Sequence, residues 1–303
     1  MYQGVAAVVL KPDLAGFLEK AEHGNLIPIC AEILADLETP VSAYLAMSHG
    51  PYKFLLESVE GGTNVGRYSF LGFEPSLIFR SKGREITVQR GRDVTRSEGD
   101  PIEALRRIMA GFRPVADESL PPFIGGAVGY LSYDIVRHIE RLPDENPDDL
   151  GLPDSLFMIP EVILVFDRVT KSIKVISNAR VDGDPEAAYH AAAARISRAV
   201  HVLETHTVKR PVEPFAAGAD AAVECNFTRE GFMEAVERCR EYILAGDTLQ
   251  TVLSQRFSIP FAGDPLDLYR TLRTINPSPY MFFLDLDDVY LVGSSPETMV
   301  KVV

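Results

Sequence analysis

Apolar residues recur along this chain with two periods. Alternating or short continuous apolar runs read as strands: NLIPICAEIL (25–34), PYKFLLES (51–58), RYSFLG (67–72), SLIFRS (76–81) and EITVQR (85–90). Gly, Pro, Asn and Lys-Gly punctuation separates them, as an antiparallel sheet requires. FIGGAVGYLSYD (123–134), SLFMI (155–159), EVILVFD (161–167) and SIKVISNARV (172–181) continue the series.

Helical spacing appears between them. A first helix starts near Asp13, with Leu14, Phe17, Leu18 and Ala21 on one face. In DPIEALRRIMAGF, Asp100 caps, Pro101 takes the first helical position and Gly111 stops a helix that lays Ile102, Leu105, Ile108 and Met109 on the sheet. A long helix covers 185–206. Thr228 caps another, with Phe232, Ala235, Val236, Cys239, Tyr242 and Ile243 on one face and Gly246 at its end. The strand TLQTVLSQRFSI (248–259) follows, then a helix opened by Asp264-Pro265, the Asn276-Pro277-Ser278-Pro279 turn and closing strands, the last over 299–303. Strands joined by hairpin-length connections, with helices interspersed, give an α+β class of mainly antiparallel sheets packed with helices. The Pro-, Gly- and Ala-rich stretch at 207–222 lacks periodicity and divides the chain into domains 1–213 and 223–303.

Composition narrows the function. A length of 303 residues, 46% of them hydrophobic, suffices for a sizeable core. The net charge of -13 argues against nucleic acid or an anionic membrane as principal partner. No apolar run approaches the length of a membrane span, and Cys30, Cys225 and Cys239 have neither disulfide nor zinc spacing. The chain reads as soluble and cytoplasmic, with its cysteines reduced and buried as small hydrophobes.

Gly125 to Tyr130 spells G-G-x-x-G, the wrong spacing for a dinucleotide loop; close backbone packing or a bulge accounts for it better. The six histidines never cluster at ligand spacing, and the acidic loop 142–154 reads as solvated. Two stretches carry more. In KFLLES an apolar strand runs into Glu57 and Ser58, a carboxylate and a hydroxyl able to grip an ammonium and hydrogen-bond a carboxylate, and Gly61, Gly62 and Gly66 turn the chain back. In NPSPYMFF, Pro277 and Pro279 remove N–H donors and leave carbonyls to accept, while Tyr280, Met281 and Phe282 offer an apolar wall. Together they would suit an aromatic amino acid. Gln250, Ser254, Gln255, Arg256, Ser294, Ser295 and Glu297 lie inside apolar stretches, which implies a buried hydrogen-bond network.

KFLLESVEGGTNVGRYSFLG, FIGGAVGYLSYD, AGDTLQTVLSQRF, INPSPYMFFLD and VGSSPETMV, in this order, resemble the large subunit of anthranilate synthase, within the wider chorismate-utilising family. The resemblance runs from about Ile27 to Val303, with small departures at Thr248, Leu249 and Thr251. It implies a lyase that converts chorismate, with ammonia channelled from a glutamine amidotransferase subunit, to anthranilate and pyruvate in tryptophan biosynthesis. It also implies Mg2+ in the complete enzyme, a hetero-oligomer, and feedback inhibition by L-tryptophan through Ser58, Pro279, Tyr280 and Met281, with Glu57 as a neighbour. The catalytic and magnesium-binding segments of the family match nothing up to Val303, so no catalytic or metal residue is named and the segment alone is expected to be inactive. The alternatives are an aminodeoxychorismate synthase-like segment and a non-catalytic tryptophan-binding regulatory or assembly module.

Overall fold

The structure, a computed structural model, describes residues 8–47, 50–59, 66–207, 210–212 and 222–302. Its strands are β1 (Leu26–Leu34), β2 (Lys53–Glu57), β3 (Tyr68–Lys82), β4 (Glu85–Arg90), β5 (Asp93–Glu98), β6 (Val128–Leu131), β7 (Ser155–Asp167), β8 (Ser172–Arg180), β9 (Glu224–Cys225), β10 (Phe257–Ser258), β11 (Tyr280–Asp285) and β12 (Tyr290–Ser295). Helices are α1 (Leu14–Ala21), α2 (Pro40–Ala46), α3 (Pro101–Ala110), α4 (Pro185–Thr205), α5 (Arg229–Ala245) and α6 (Pro265–Ile275), with a 3-10 turn at Tyr133–His138.

Ten of the strands form one antiparallel sheet in the order β1-β8-β7-β3-β2-β11-β12, with β4, β5 and β6 on its flanks. Two strands are longer than their sequence suggests. RYSFLG and SLIFRS are one strand, β3, because the chain crosses Pro75 with a register irregularity between Pro75 and Leu77 instead of turning. SLFMI and EVILVFD likewise fuse into β7, whose Pro160 faces Pro75, so neither proline interrupts a hydrogen bond its partner could complete. Each long strand changes neighbours along its length: β3 pairs β2 through Ser69–Gly72 and β4 through Ile78–Lys82, while β7 pairs β6 through Ser155–Met158 and then β8 through Val162–Asp167.

Alternation along these strands feeds apolar side chains to both faces. Helix α4 buries Tyr189, Ala192, Ile196, Ala199, Val200 and Leu203 over β1 and β8, and Phe17 of α1 meets Tyr189 edge-on at 5.3 Å. On α3, Asp100 accepts from the amides of Ile102 and Glu103, and Leu105, Ile108 and Met109 pack on Leu77, Phe79 and Ile86. Helix α2 is absent from the sequence reading; Thr39 and Ser42 form a reciprocal cap and Pro40 opens it, in only seven residues. β5 was also missed because every residue of it is exposed and polar positions replace the alternation. Gly129 explains the glycine-rich stretch: a Cβ there would lie 1.9 Å from the Leu156 carbonyl oxygen, so β6 approaches β7 only through glycine.

The compact units divide the chain differently from the expected 1–213 and 223–303. One comprises Met1–Arg210 with Tyr269–Val303, the other Pro211–Leu268. The physical cause is β11, which adds directly to β2 and joins the chain from Tyr269 onward to the first unit.

In the second unit, Thr228 caps α5 by accepting from the Gly231 amide, and Gly246 ends it at φ +83°. The strand expected over 248–259 is reduced to β10, paired with β9 through Phe257 and Cys225; residues 248–256 have strand-like residues without a partner strand. The strand expected over 299–303 does not form at 299–302, and Val303 lies outside the described residues. Among the described residues the expected buried polar network does not form: Gln250, Ser254, Arg256 and Glu297 are exposed, and the Ser294 hydroxyl donates to the Asn276 carbonyl in a separate local bond. Among the described residues no helix is long and apolar enough to cross a membrane.

Cys30 is buried and Cys225 exposed, both as free thiols, which corrects the expectation that all three cysteines are buried. Burial pushes the Cys30 thiol up to about 11.

Candidate functional site

β2 and β11 lie side by side with Met281 opposite Glu57, Phe282 opposite Leu56 and Leu284 opposite Phe54. Successive side chains on each strand point to opposite faces. Phe283 packs edge-on against Tyr44 of α2 at 5.3 Å and near Tyr269 of α6 at 5.6 Å, which makes this the helix-covered face. Leu56 and Phe282 therefore belong to the other face, where they pack around Phe54 and Phe123.

That second face opens into a cleft of about 820 Å³. Its apolar wall comes from Leu56, Tyr68, Phe70, Phe123 and Phe282, with Phe70 and Phe123 in an edge-to-face contact at 5.2 Å. Ser58, Pro279 and Tyr280 line it as well. The amide of Val59 donates to the Ser278 carbonyl at 3.1 Å, and the Tyr280 amide to the Ser278 hydroxyl at 3.3 Å. The first bond ties the end of β2 to the proline turn, and the second braces the turn itself. The two stretches singled out in the sequence thus meet in space, although Gly61 and Gly62 lie outside the described residues.

Beside Lys301, Arg67 brings a cation to the cleft, and the sequence reading missed it. Its Nε donates to both oxygens of Asp167 at 3.0 and 3.1 Å, its Nη2 donates to Oδ2 at 2.6 Å, and the guanidinium lies 4.8 Å from the Tyr68 ring centre. The fork fixes the guanidinium in place, and Arg67 lines the cleft. The Arg67 hydrogen bonds hold the Asp167 carboxyl down at about 2, with the amides of Val169 and Thr170 adding to the effect. An available signal was the order Arg67, Tyr68, Phe70: a cation at a strand start, followed by aromatics two apart on the same face.

Glu57 and Met281 also border the cleft, but the register turns their side chains to the helix-covered face. Met281 is 1% exposed and Glu57 3%. The Glu57 carboxylate accepts from the Tyr269 hydroxyl at 2.7 Å and the Arg273 Nη2 at 3.1 Å, and Arg273 Nε lies 3.0 Å away. The carboxylate that the sequence offered to an ammonium is here engaged by a half-buried guanidinium and a phenol. Burial, reinforced by the Glu57 charge, pushes the Tyr269 phenol far above its ordinary value.

Further along the same face, Lys53 and Asp285 are opposite each other, both buried. The ammonium sits 4.6 Å over the Tyr44 ring, and the Tyr44 hydroxyl donates to Asp285 at 3.3 Å. Desolvation lowers the Lys53 ammonium and raises the Asp285 carboxyl, each toward its neutral form. Among the described residues, no three His, Cys, Asp or Glu side chains gather closely enough to hold a metal ion, so no residue here is assigned to magnesium.

The family model described as chorismate binding enzyme matches residues 51–303. Anthranilate synthase component 1 of Thermus thermophilus is 46% identical over 276 residues, covering 90% of this chain and 56% of its own length. That of Acetivibrio thermocellus is 40% identical over 288 residues, covering 93% and 58%. Among solved structures, anthranilate synthase component I from Streptococcus pneumoniae superposes with a TM-score of 0.61 at 27% identity, covering 88% of this chain and 57% of that one. The chain therefore spans less than two thirds of the length of these relatives. A match extending over residues 51–303, which includes every wall of the cleft, makes the chain a member of the chorismate-binding enzyme family.

Proposed function

We propose that this chain serves the formation of anthranilate and pyruvate from chorismate and ammonia, and that its own cleft holds L-tryptophan as the feedback inhibitor. The observation that carries the second part is the meeting of Ser58, Pro279 and Tyr280 with an aromatic wall and a guanidinium in one cleft. An indole ring suits Phe70, Phe123 and Tyr280, where edge and face contacts add about 0.5–1.5 kcal/mol each to burial. The ligand's carboxylate is assigned to Arg67 and the Ser58 hydroxyl, and its ammonium to backbone carbonyls of the proline turn, since Glu57 is engaged elsewhere.

The first part is supported by relatives named anthranilate synthase component 1, a name that also points to a second component as partner, proposed here as the glutamine amidotransferase. Catalytic and magnesium-binding groups are assigned to the part of the relatives that this chain does not match. On this reading the chain binds L-tryptophan without turning over chorismate.

The chain contains no tryptophan of its own, so the fluorescence of the added ligand reports binding directly. Saturable enhancement or anisotropy with L-tryptophan, together with no magnesium-dependent anthranilate from chorismate and ammonia, is the expected result. Anthranilate formation by the purified chain would refute the division of labour, and failure to bind L-tryptophan would refute the cleft assignment.

A further inference from the structure

Two stretches that line the cleft reach the same helix by different routes. Pro279 and Tyr280 follow α6 directly in the chain, separated from Ile275 by the 276–278 turn. Ser58 follows Glu57, whose carboxylate is fastened to Tyr269 and Arg273, one helical turn apart on α6. The Glu57 side chain is 0% exposed, while that of Arg273 is 28% exposed. The carboxylate thus replaces its lost hydration with two hydrogen bonds, from the Tyr269 hydroxyl and the Arg273 Nη2, and with the guanidinium charge beside it. No ammonium arriving in the cleft can reach this carboxylate without breaking that set, because the sheet lies between them.

We infer that Glu57 is a positioning residue: by holding Tyr269 and Arg273 on one face of the sheet, it fixes on the other face the spacing between Ser58 and Pro279–Tyr280 that a ligand must match. The inference rests on the reading of the cleft as an amino-acid site and goes beyond it, because it removes Glu57 from the ligand's contacts and extends the site's determinants to Tyr269 and Arg273. Neutralising the carboxylate leaves the guanidinium half-buried without its counter-charge, and α6 can then shift relative to β2. The Val59–Ser278 bond is the contact most directly exposed to such a shift, since it joins the two routes at the cleft.

The test compares L-tryptophan with indole-3-propionate, which keeps the ring and carboxylate and lacks the ammonium. Binding of both is measured to the whole chain, to Glu57→Gln and to Tyr269→Phe, with far-UV circular dichroism and thermal unfolding as checks on the fold. Positioning predicts that Glu57→Gln weakens both ligands by the same factor, about tenfold, the equivalent of ~1.4 kcal/mol. Tyr269→Phe, which removes one hydroxyl outside the cleft, should weaken both in parallel by a smaller factor, and it carries the test if Glu57→Gln does not fold. A loss confined to L-tryptophan in Glu57→Gln, with Tyr269→Phe unaffected, would mean a direct ammonium contact and overturn the inference alone. Lower melting temperatures with both affinities unchanged would reduce the cluster to packing and overturn it as well. If the unaltered chain binds neither compound, the cleft assignment falls first and this inference falls with it.

Discussion

Replacing Asp167 by asparagine tests the anchoring of Arg67 at the cleft. The carboxylate forks onto Arg67 and is held down from 3.8 to about 2. At about 1.36 kcal/mol per pKa unit that fall sets a ceiling of roughly 2.5 kcal/mol on the stability linked to ionisation. The Arg67 side chain is 41% exposed, so solvent screens the pair and about 1 kcal/mol is the figure expected to survive. Asparagine keeps an oxygen for the Val169 and Thr170 amides, which leaves the fork to Arg67 as the main loss. Because the folded value lies below the unfolded one, the contribution is complete above the ordinary carboxylate value and disappears as pH falls through the folded value. Urea unfolding of both proteins should therefore show a gap of about 1 kcal/mol near neutral pH that narrows steadily between roughly pH 4 and pH 2. A gap that stays constant through that range would mean that asparagine disturbs the turn and not the ion pair. No gap at any pH would refute the argument that the pair holds Arg67 in place. The same variant should bind L-tryptophan more weakly, since the guanidinium loses the partner that orients it.

Ser58→Ala should weaken L-tryptophan binding by about 1 kcal/mol, roughly fivefold, without altering thermal unfolding; unchanged affinity in the folded variant would remove the hydroxyl from the site. A thiol reagent at neutral pH should modify exposed Cys225 in the native chain and spare buried Cys30, held at about 11, until denaturant is added. Mass spectrometry of the labelled peptides reads this directly, and rapid native labelling of Cys30 would contradict its burial.

Much of the fold was legible because its strongest signals are local. Asp13, Asp100 and Thr228 each cap the helix they announce, since a cap is a bond across three residues that needs no distant partner. What failed needed knowledge of neighbours. RYSFLG and SLIFRS look like two strands until β7 is alongside, offering Pro160 to Pro75. TLQTVLSQRFSI has the composition of a strand, yet among the described residues only Phe257 and Ser258 enter a strand pairing. β5 pairs fully with β4 although nothing in its exposed, polar residues advertises it.

The candidate site divides along the same line. By itself the sequence determined its ingredients: a hydroxyl after an apolar strand, a turn stiffened by two prolines, and an aromatic next to it. The motifs carrying the family resemblance were also there, because order along a chain is a property of the chain. Only the tertiary structure decided which ingredients share a surface. Glu57 and Ser58 are adjacent in sequence, yet strand alternation separates them by the thickness of a sheet, and the pairing of β2 with β11 and α6 determines which face is cleft and which is core. Arg67 gained its role from Asp167, a hundred residues away, for the same reason: an ion pair is set by proximity, and proximity here is created by the register of β3 on β7.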